Sequence, residues 1–270
     1  MIRARQVEAT AVQLVHDLGQ VFTVFDERSQ DSGHISYGVD TGAARLFVKT
    51  SGGPQRSPGG LSQAQRADVL RRAASVHGLD HPALITLHEL IETSDGVAMV
   101  HDWFDGELLR APRELRQDPA QAHNRFKRLP TDLIVAALDR VVDLHVLLEE
   151  SGWVLGDFYD GCLMYDFDTG EIRVMDFECY QRGPYRNDRG RLPGSTRFMA
   201  PEEFRRGALI DSRTTVFNLA RMIEIFYLSE HPDSQVSSVV ARATAPEPGD
   251  RPATAAQLQR LWRDCLAVPR

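Results

Sequence analysis

Apolar residues recur along this chain at two spacings, and the change between them divides it. Over residues 21–25, 35–39, 44–49 and 97–101 they form short β-prone runs bounded by turn residues, which predicts strands. Asp40, Thr41 and Gly42 join the second and third runs as a hairpin, and Gly33 lies in the turn before them. Helical spacing puts Val7, Val12, Leu14, Val15 and Leu18 on a helix over residues 5–18. It puts Ala67, Leu70 and Ala74 on another over 61–76, with Ser62 as its cap. Downstream the longer period dominates. Residues 131–150 carry an apolar face running from Leu133 to Leu148 behind a Thr131 cap, and residues 215–227 and 253–266 predict two further helices. His145, on that apolar face, reads as a satisfied core histidine. Two segments show neither period: 51–60 reads as a flexible linker and 110–130 as a polar, arginine-rich surface insertion. The pattern is that of an α+β protein.

Strand spacing returns once among the helices, over residues 153–178. A short apolar strand ends at Gly156-Asp157, a polar loop follows, and residues 163–165 and 172–175 flank a turn in which Asp166 is the turn residue. Asp157 and Asp176 are thereby expected on the same edge of one small sheet. Two buried acids there are costly unless something positive lies between them, and Mg²⁺ with a nucleotide phosphate meets that demand. Lys49 ends the apolar run RLFVK. Pointing outward it snorkels to water; pointing inward it needs a phosphate or a carboxylate, and the two acids downstream favour the inward reading.

Composition narrows the partners. A chain of 270 residues, 42% hydrophobic, is long enough for one large domain or two lobes. Its net charge of −7 argues against a general nucleic-acid binder. Three cysteines, Cys162, Cys179 and Cys265, have neither an even count nor metal spacing, which favours a reducing cytosol. No run approaches the length of a membrane span, and the first residues lack a continuous apolar stretch, so a cytoplasmic protein without membrane partners is expected.

At these residues the chain resembles the protein kinase superfamily. An Asp followed five positions later by Asn, and then by Asp-Phe-Gly, marks that family's catalytic loop; here it reads Asp157, Cys162 and Asp176-Phe177-Glu178. GSTRFMAPE, residues 194–202, resembles the close of the activation segment, and Arg251 in GDRPATAAQL stands where the partner of its glutamate stands, so Glu202 and Arg251 are expected as a buried bidentate pair. HPALI at 81–85 resembles the segment before the fourth strand, and HDWFDGELL from His101 resembles the interlobe hinge.

The resemblance spans residues 20–266 and implies a two-lobed protein kinase-like fold. It divides into a sheet-bearing N-terminal lobe over 1–100, a hinge over 101–109 and a mainly helical C-terminal lobe over 110–270. It implies ATP and Mg²⁺ as cofactors. Ser32 and Gly33 would then cover the phosphates, Lys49 would meet both phosphate and Asp68, and the main chain at His101 and Trp103 would hold adenine. Asp157 would accept or orient the hydroxyl proton and Asp176 would hold Mg²⁺. Asp160 would supply the oxygen that Cys162 does not, while Glu178 would either assist the metal or accept backbone hydrogen bonds. Asp68 paired with Arg72 is the plainer alternative.

Several positions depart from the family. Leu155-Gly156 replaces the usual His-Arg, Tyr159 a lysine, Cys162 the metal-binding Asn, and Thr215 the Asp of the central helix. The implied activity is transfer of the γ-phosphoryl of ATP to a hydroxyl, as in serine/threonine protein kinases. Glu178 and the short stretch 228–250 support the same chemistry on a small molecule. Leu155, Cys162 and Thr215 support a nucleotide-binding pseudokinase. Seven arginines between Arg182 and Arg206 read either as a solvated face or as recognition of an anionic substrate.

Overall fold

The computed structural model describes residues 4–28, 32–53, 60–232 and 235–267. The protein is α+β and divides into two compact units, residues 1–80 with 84–105, and residues 81–83 with 106–270. Among the described residues no helix is long and apolar enough to cross a membrane.

The first unit is built on six strands, β1 (Ala4–Gln6), β2 (Gln20–Phe25), β3 (Ile35–Asp40), β4 (Arg45–Thr50), β5 (Leu87–Thr93) and β6 (Gly96–Asp102). They lie in the order β1-β5-β6-β4-β3-β2; the β1–β5 pair is parallel and the others antiparallel. Two helices accompany them, α1 (Ala11–Leu18) and α2 (Gln63–Ala74). Leu14 and Val15 of α1 cluster with Val39, Val48, Ile91, Ala98 and Val100; Ala67, Leu70 and Ala74 of α2 cluster with Leu87, Val97 and Met99. The alternation Val97/Met99 against Ala98/Val100 along β6 thus feeds two cores on opposite faces.

The helix expected over residues 5–18 is shorter. Thr10 accepts from the Gln13 N–H and the Gln13 side chain accepts from the Thr10 N–H, a capping box that starts the helix at Ala11. The residues before it pair with β5 instead. Ser62 caps α2 through the same device with Gln65. Most of the expected 51–60 linker lies outside the described residues, but its two ends are tied down. Arg66 of α2 is buried and donates to the carbonyls of Ser51 (2.7 Å), Leu61 (2.6 Å) and Gly53.

The second unit is mainly helical: α3 (Ala122–Lys127), α4 (Thr131–Glu150), α5 (Ser212–Ile223), α6 (Val236–Ala243) and α7 (Ala255–Ala267). Its strands are short: β7 (Glu107–Leu108), β8 (Trp153–Val154), β9 (Leu163–Tyr165), β10 (Ile172–Val174), β11 (Gln181–Arg182), β12 (Tyr185–Arg186) and β13 (Leu209–Ile210). Helix α4 lies where its spacing put it, with His145 buried; Nδ1 meets the Val141 carbonyl at 2.7 Å and Nε2 the Tyr180 hydroxyl at 2.8 Å. Thr131 does not cap this helix. Pro130 occupies the cap position, and the Thr131 hydroxyl meets His231 Nε2 at 2.9 Å. The 110–130 insertion is not wholly surface either: His123 and Phe126 of α3 are buried, and Phe126 packs edge-on against Tyr165 and Phe226.

Candidate active site

In the second unit the residues around Asp157 and Asp176 are held by their backbones. Among the described residues these two are the non-glycine positions in the left-handed region, with φ of 54° and 65°. That conformation costs an L-residue roughly 1–2 kcal/mol and persists where surrounding contacts fix it. The fixing contacts are specific. The Cys162 thiol donates to the Asp157 carbonyl at 3.2 Å, and the Met175 N–H, next to Asp176, donates to the Cys162 carbonyl at 2.9 Å. One residue therefore bridges both aspartate loops. A side chain at Gly156 would overlap the Cys179 carbonyl, so that position requires glycine, while one at Gly161 would have to displace the Tyr159 ring.

The expectation of one small sheet carrying both acids needs correcting. β9 and β10 form the hairpin around the 166–170 turn, where Asp166 Oδ1 accepts from the N–H groups of Asp168 and Thr169, but β7 is the third strand of that sheet. β8 pairs with β11 instead. The two aspartates are connected through Cys162 and not through a shared ladder, because β8 ends at Val154 and the loop leaves the strand direction before Asp157.

Electrostatics place the carboxylates in a common neighbourhood. Burial pushes the Cys162 thiol well above its ordinary value, and Asp176 and Asp157 add to the shift. Burial pushes Cys179 up to about 12, again with Asp157 and Asp176 contributing. The hydroxyls of Tyr159 and Tyr180 are raised by burial first and by the same two acids. Four groups thus feel both charges. Cys162 and Cys179 are neutral thiols, which are poor ligands for a hard cation.

Asp157, Asp176 and Glu178 carry hard carboxylate oxygens, but among the described residues no group of three or more His, Cys, Asp or Glu is placed to hold a metal ion. Mg²⁺ is usually held by one or two carboxylates, with substrate phosphates and water completing its shell. Asp160 is buried and forms an ion pair with Arg197; His123 Nδ1 lies 3.6 Å from the same oxygen. Its charge is offset there by the guanidinium, and its other oxygen, Oδ1, has no hydrogen-bond partner among the described residues.

In the first unit Lys49 lies on β4, paired in register with Ser36 and Met99. Its ammonium helps to depress two histidines: burial brings the half-buried His77 down to about 4 and the buried His101 well below its usual value, and Lys49 adds to both. The two rings meet edge-on at 4.8 Å, and His101 Nδ1 has no hydrogen-bond partner among the described residues. Trp103 donates its backbone N–H to the Arg45 carbonyl and its indole N–H to Asp105, and packs edge-on against Phe22. Ser32 is exposed and its hydroxyl accepts from the His34 N–H; Gly33 has a φ of 75° beside the Arg66 guanidinium. Asp68 is on the solvent side of α2, 71% exposed, in an ion pair with Arg71 and not with Arg72. Helix α2 turns Ala67 and Leu70 to the sheet, which leaves position 68 facing out.

The pair Glu202–Arg251 is as the motifs suggested. Arg251 Nη1 and Nη2 donate to the two Glu202 oxygens at 2.7 and 2.9 Å, and its remaining N–H groups reach the carbonyls of Ala245, Pro246 and Arg213, so all five donors are used. Two features escaped sequence reasoning. Arg197 closes on Asp160, and Thr215 accepts from the Leu155 N–H at 3.3 Å. The signal for the first was a second acid, Asp160, in the loop that carries Asp157; for the second it was Thr215 at the position of the family's Asp in the central helix. No known protein family matches the chain, and no curated protein matches it.

Proposed function

We propose that the chain is an ATP- and Mg²⁺-dependent phosphotransferase with a protein kinase-like fold, transferring the γ-phosphoryl of ATP to a hydroxyl. The observation that carries this reading is the pair Asp157 and Asp176, each in a left-handed backbone conformation, linked through Cys162 and acting on the same four neighbouring groups. Holding two acids in strained conformations has a cost that a purely structural role does not require.

In this reading Asp157 orients the substrate hydroxyl and takes its proton, and Asp176 would hold Mg²⁺, with Glu178 as an additional oxygen donor. The metal, when bound, neutralises charge on the transferring phosphoryl group. The resemblance would assign Lys49 to the phosphates, but the adenine role it implies for the main chain of His101 and Trp103 is not carried over: the Trp103 N–H is donated to the Arg45 carbonyl, and His101 lies in the ladder of β6 between β4 and β5. The neutral Cys162 thiol keeps the loop in shape through the Asp157 carbonyl without ligating metal. That same thiol favours a second reading, nucleotide binding without turnover. ATP consumption measured in parallel against protein extract and metabolite pools separates the two: consumption in either pool that disappears in Asp157→Asn supports transfer. Nucleotide-induced thermal stabilisation with no consumption supports binding alone.

A further inference from the structure

Away from the two aspartate loops, the second unit contains a cavity of about 540 Å³. Arg205 and Arg206 line it, together with Leu209, Arg213, Pro248 and Gly249. The acids at this cavity are already committed. Glu202 is closed by Arg251 and by the Thr214 hydroxyl at 2.8 Å, and Asp211 caps α5 by accepting from the Arg213 N–H at 2.9 Å and pairs with the Arg213 guanidinium at 3.4 Å. Among the described residues the side chains of Arg205 and Arg206 have neither a hydrogen bond nor an ion pair, and Arg186 sits close by with its guanidinium on the Gly207 carbonyl at 2.8 Å. Other arginines of the segment are engaged: Arg182 stacks on Trp153, Arg191 reaches the carbonyls of Leu192 and Gly194, and Arg197 pairs with Asp160. Arg189 is likewise exposed with no side-chain bond among the described residues but does not line the cavity; Arg205 and Arg206 are the members of the run that line it without a partner.

Uncompensated positive charge in a chain of net charge −7 calls for a negative partner. The lining is also partly apolar, with Leu209 46% exposed beside Pro248. We propose that this cavity docks an acidic segment of a protein partner, with carboxylate or phosphate side chains on Arg205 and Arg206 and a neighbouring apolar side chain on Leu209 and Pro248. Basic and apolar contacts side by side match an acidic peptide carrying a hydrophobic residue better than a free anion, which would leave the apolar part of the lining uncovered.

The test uses the full chain and three labelled peptides followed by fluorescence anisotropy: one of repeated Glu-Glu-Leu, one with phosphoserine at the acidic positions, and one with glutamine there. Binding of the glutamate or the phosphoserine peptide, weakening with added salt, with the glutamine peptide at least about fivefold weaker, is expected. Arg205→Gln with Arg206→Gln should weaken the acidic peptide by about fivefold to tenfold, and Leu209→Ser should weaken it separately. Both arginines are exposed, so unfolding midpoints of the variants should match the parent, and the readout is independent of turnover. The proposal is overturned if the glutamine peptide binds equally, if the double variant binds like the parent, or if inorganic phosphate at the peptide's concentration displaces it fully.

Discussion

The Leu155 N–H donates to the hydroxyl of Thr215, 60 residues later in the chain, at 3.3 Å and in a buried setting. Leu155 precedes Asp157 by two residues, so α5 anchors the loop that carries the first candidate acid. Thr215→Val removes the acceptor while keeping the shape, leaving a buried N–H unpaired at a cost of about 1–3 kcal/mol. Urea unfolding should report that loss, ATP turnover should fall with it, and Thr215→Ser should restore both. Unchanged unfolding in Thr215→Val would show that the bond contributes nothing.

Glu202 and Arg251 are each almost wholly inaccessible. Burial works against ionised Glu202, yet Arg251 and Thr214 hold its carboxyl below the usual range. Removing one partner strands the other charge, so Arg251→Met and Glu202→Leu should each destabilise by about 3–5 kcal/mol, and the double replacement by markedly less than their sum. A double-mutant cycle from denaturant unfolding checks this; strict additivity would refute the coupling.

Glu203 gives a pH signature. Burial raises its carboxyl to about 7, although it accepts from the Ala200 N–H at 2.6 Å and from Asn218 at 3.0 Å. A folded-state value above the unfolded one contributes stability that is fully present below about pH 4.5 and lost as pH rises through about 7. The difference in unfolding free energy between the parent and Glu203→Gln should therefore shift against the parent across that window, by on the order of 3 kcal/mol in total. A difference independent of pH would show that Glu203 titrates normally.

Much of the second unit was legible because its signals are local. The period of residues 131–150 fixed α4, the turn residues at 166–170 fixed the β9–β10 hairpin, and two motifs 49 residues apart located Glu202 and Arg251. What was hidden depends on partners distant in sequence. β1 is three residues long and joins its sheet through β5, about 85 positions away, so its own pattern says nothing. Helix α3 buries only His123 and Phe126, too few apolar positions to stand out from a polar segment. The outward turn of Asp68 follows from which side of α2 meets the sheet, a fact settled by Ala67 and Leu70 and not by the acid itself.

The central claim is that Asp157 and Asp176 serve phosphoryl transfer from ATP. Its most direct test is transfer from γ-labelled ATP with Mg²⁺, comparing the parent with Asp157→Asn and Asp176→Asn, each first shown by unfolding to be folded. The account predicts that Asp157→Asn loses at least about a hundredfold in turnover, as expected for a general base. It also predicts that Asp176→Asn loses comparable activity together with its Mg²⁺ dependence. Parent-like transfer in both variants, or a parent chain that transfers no label in protein extract or metabolite pools, would contradict it.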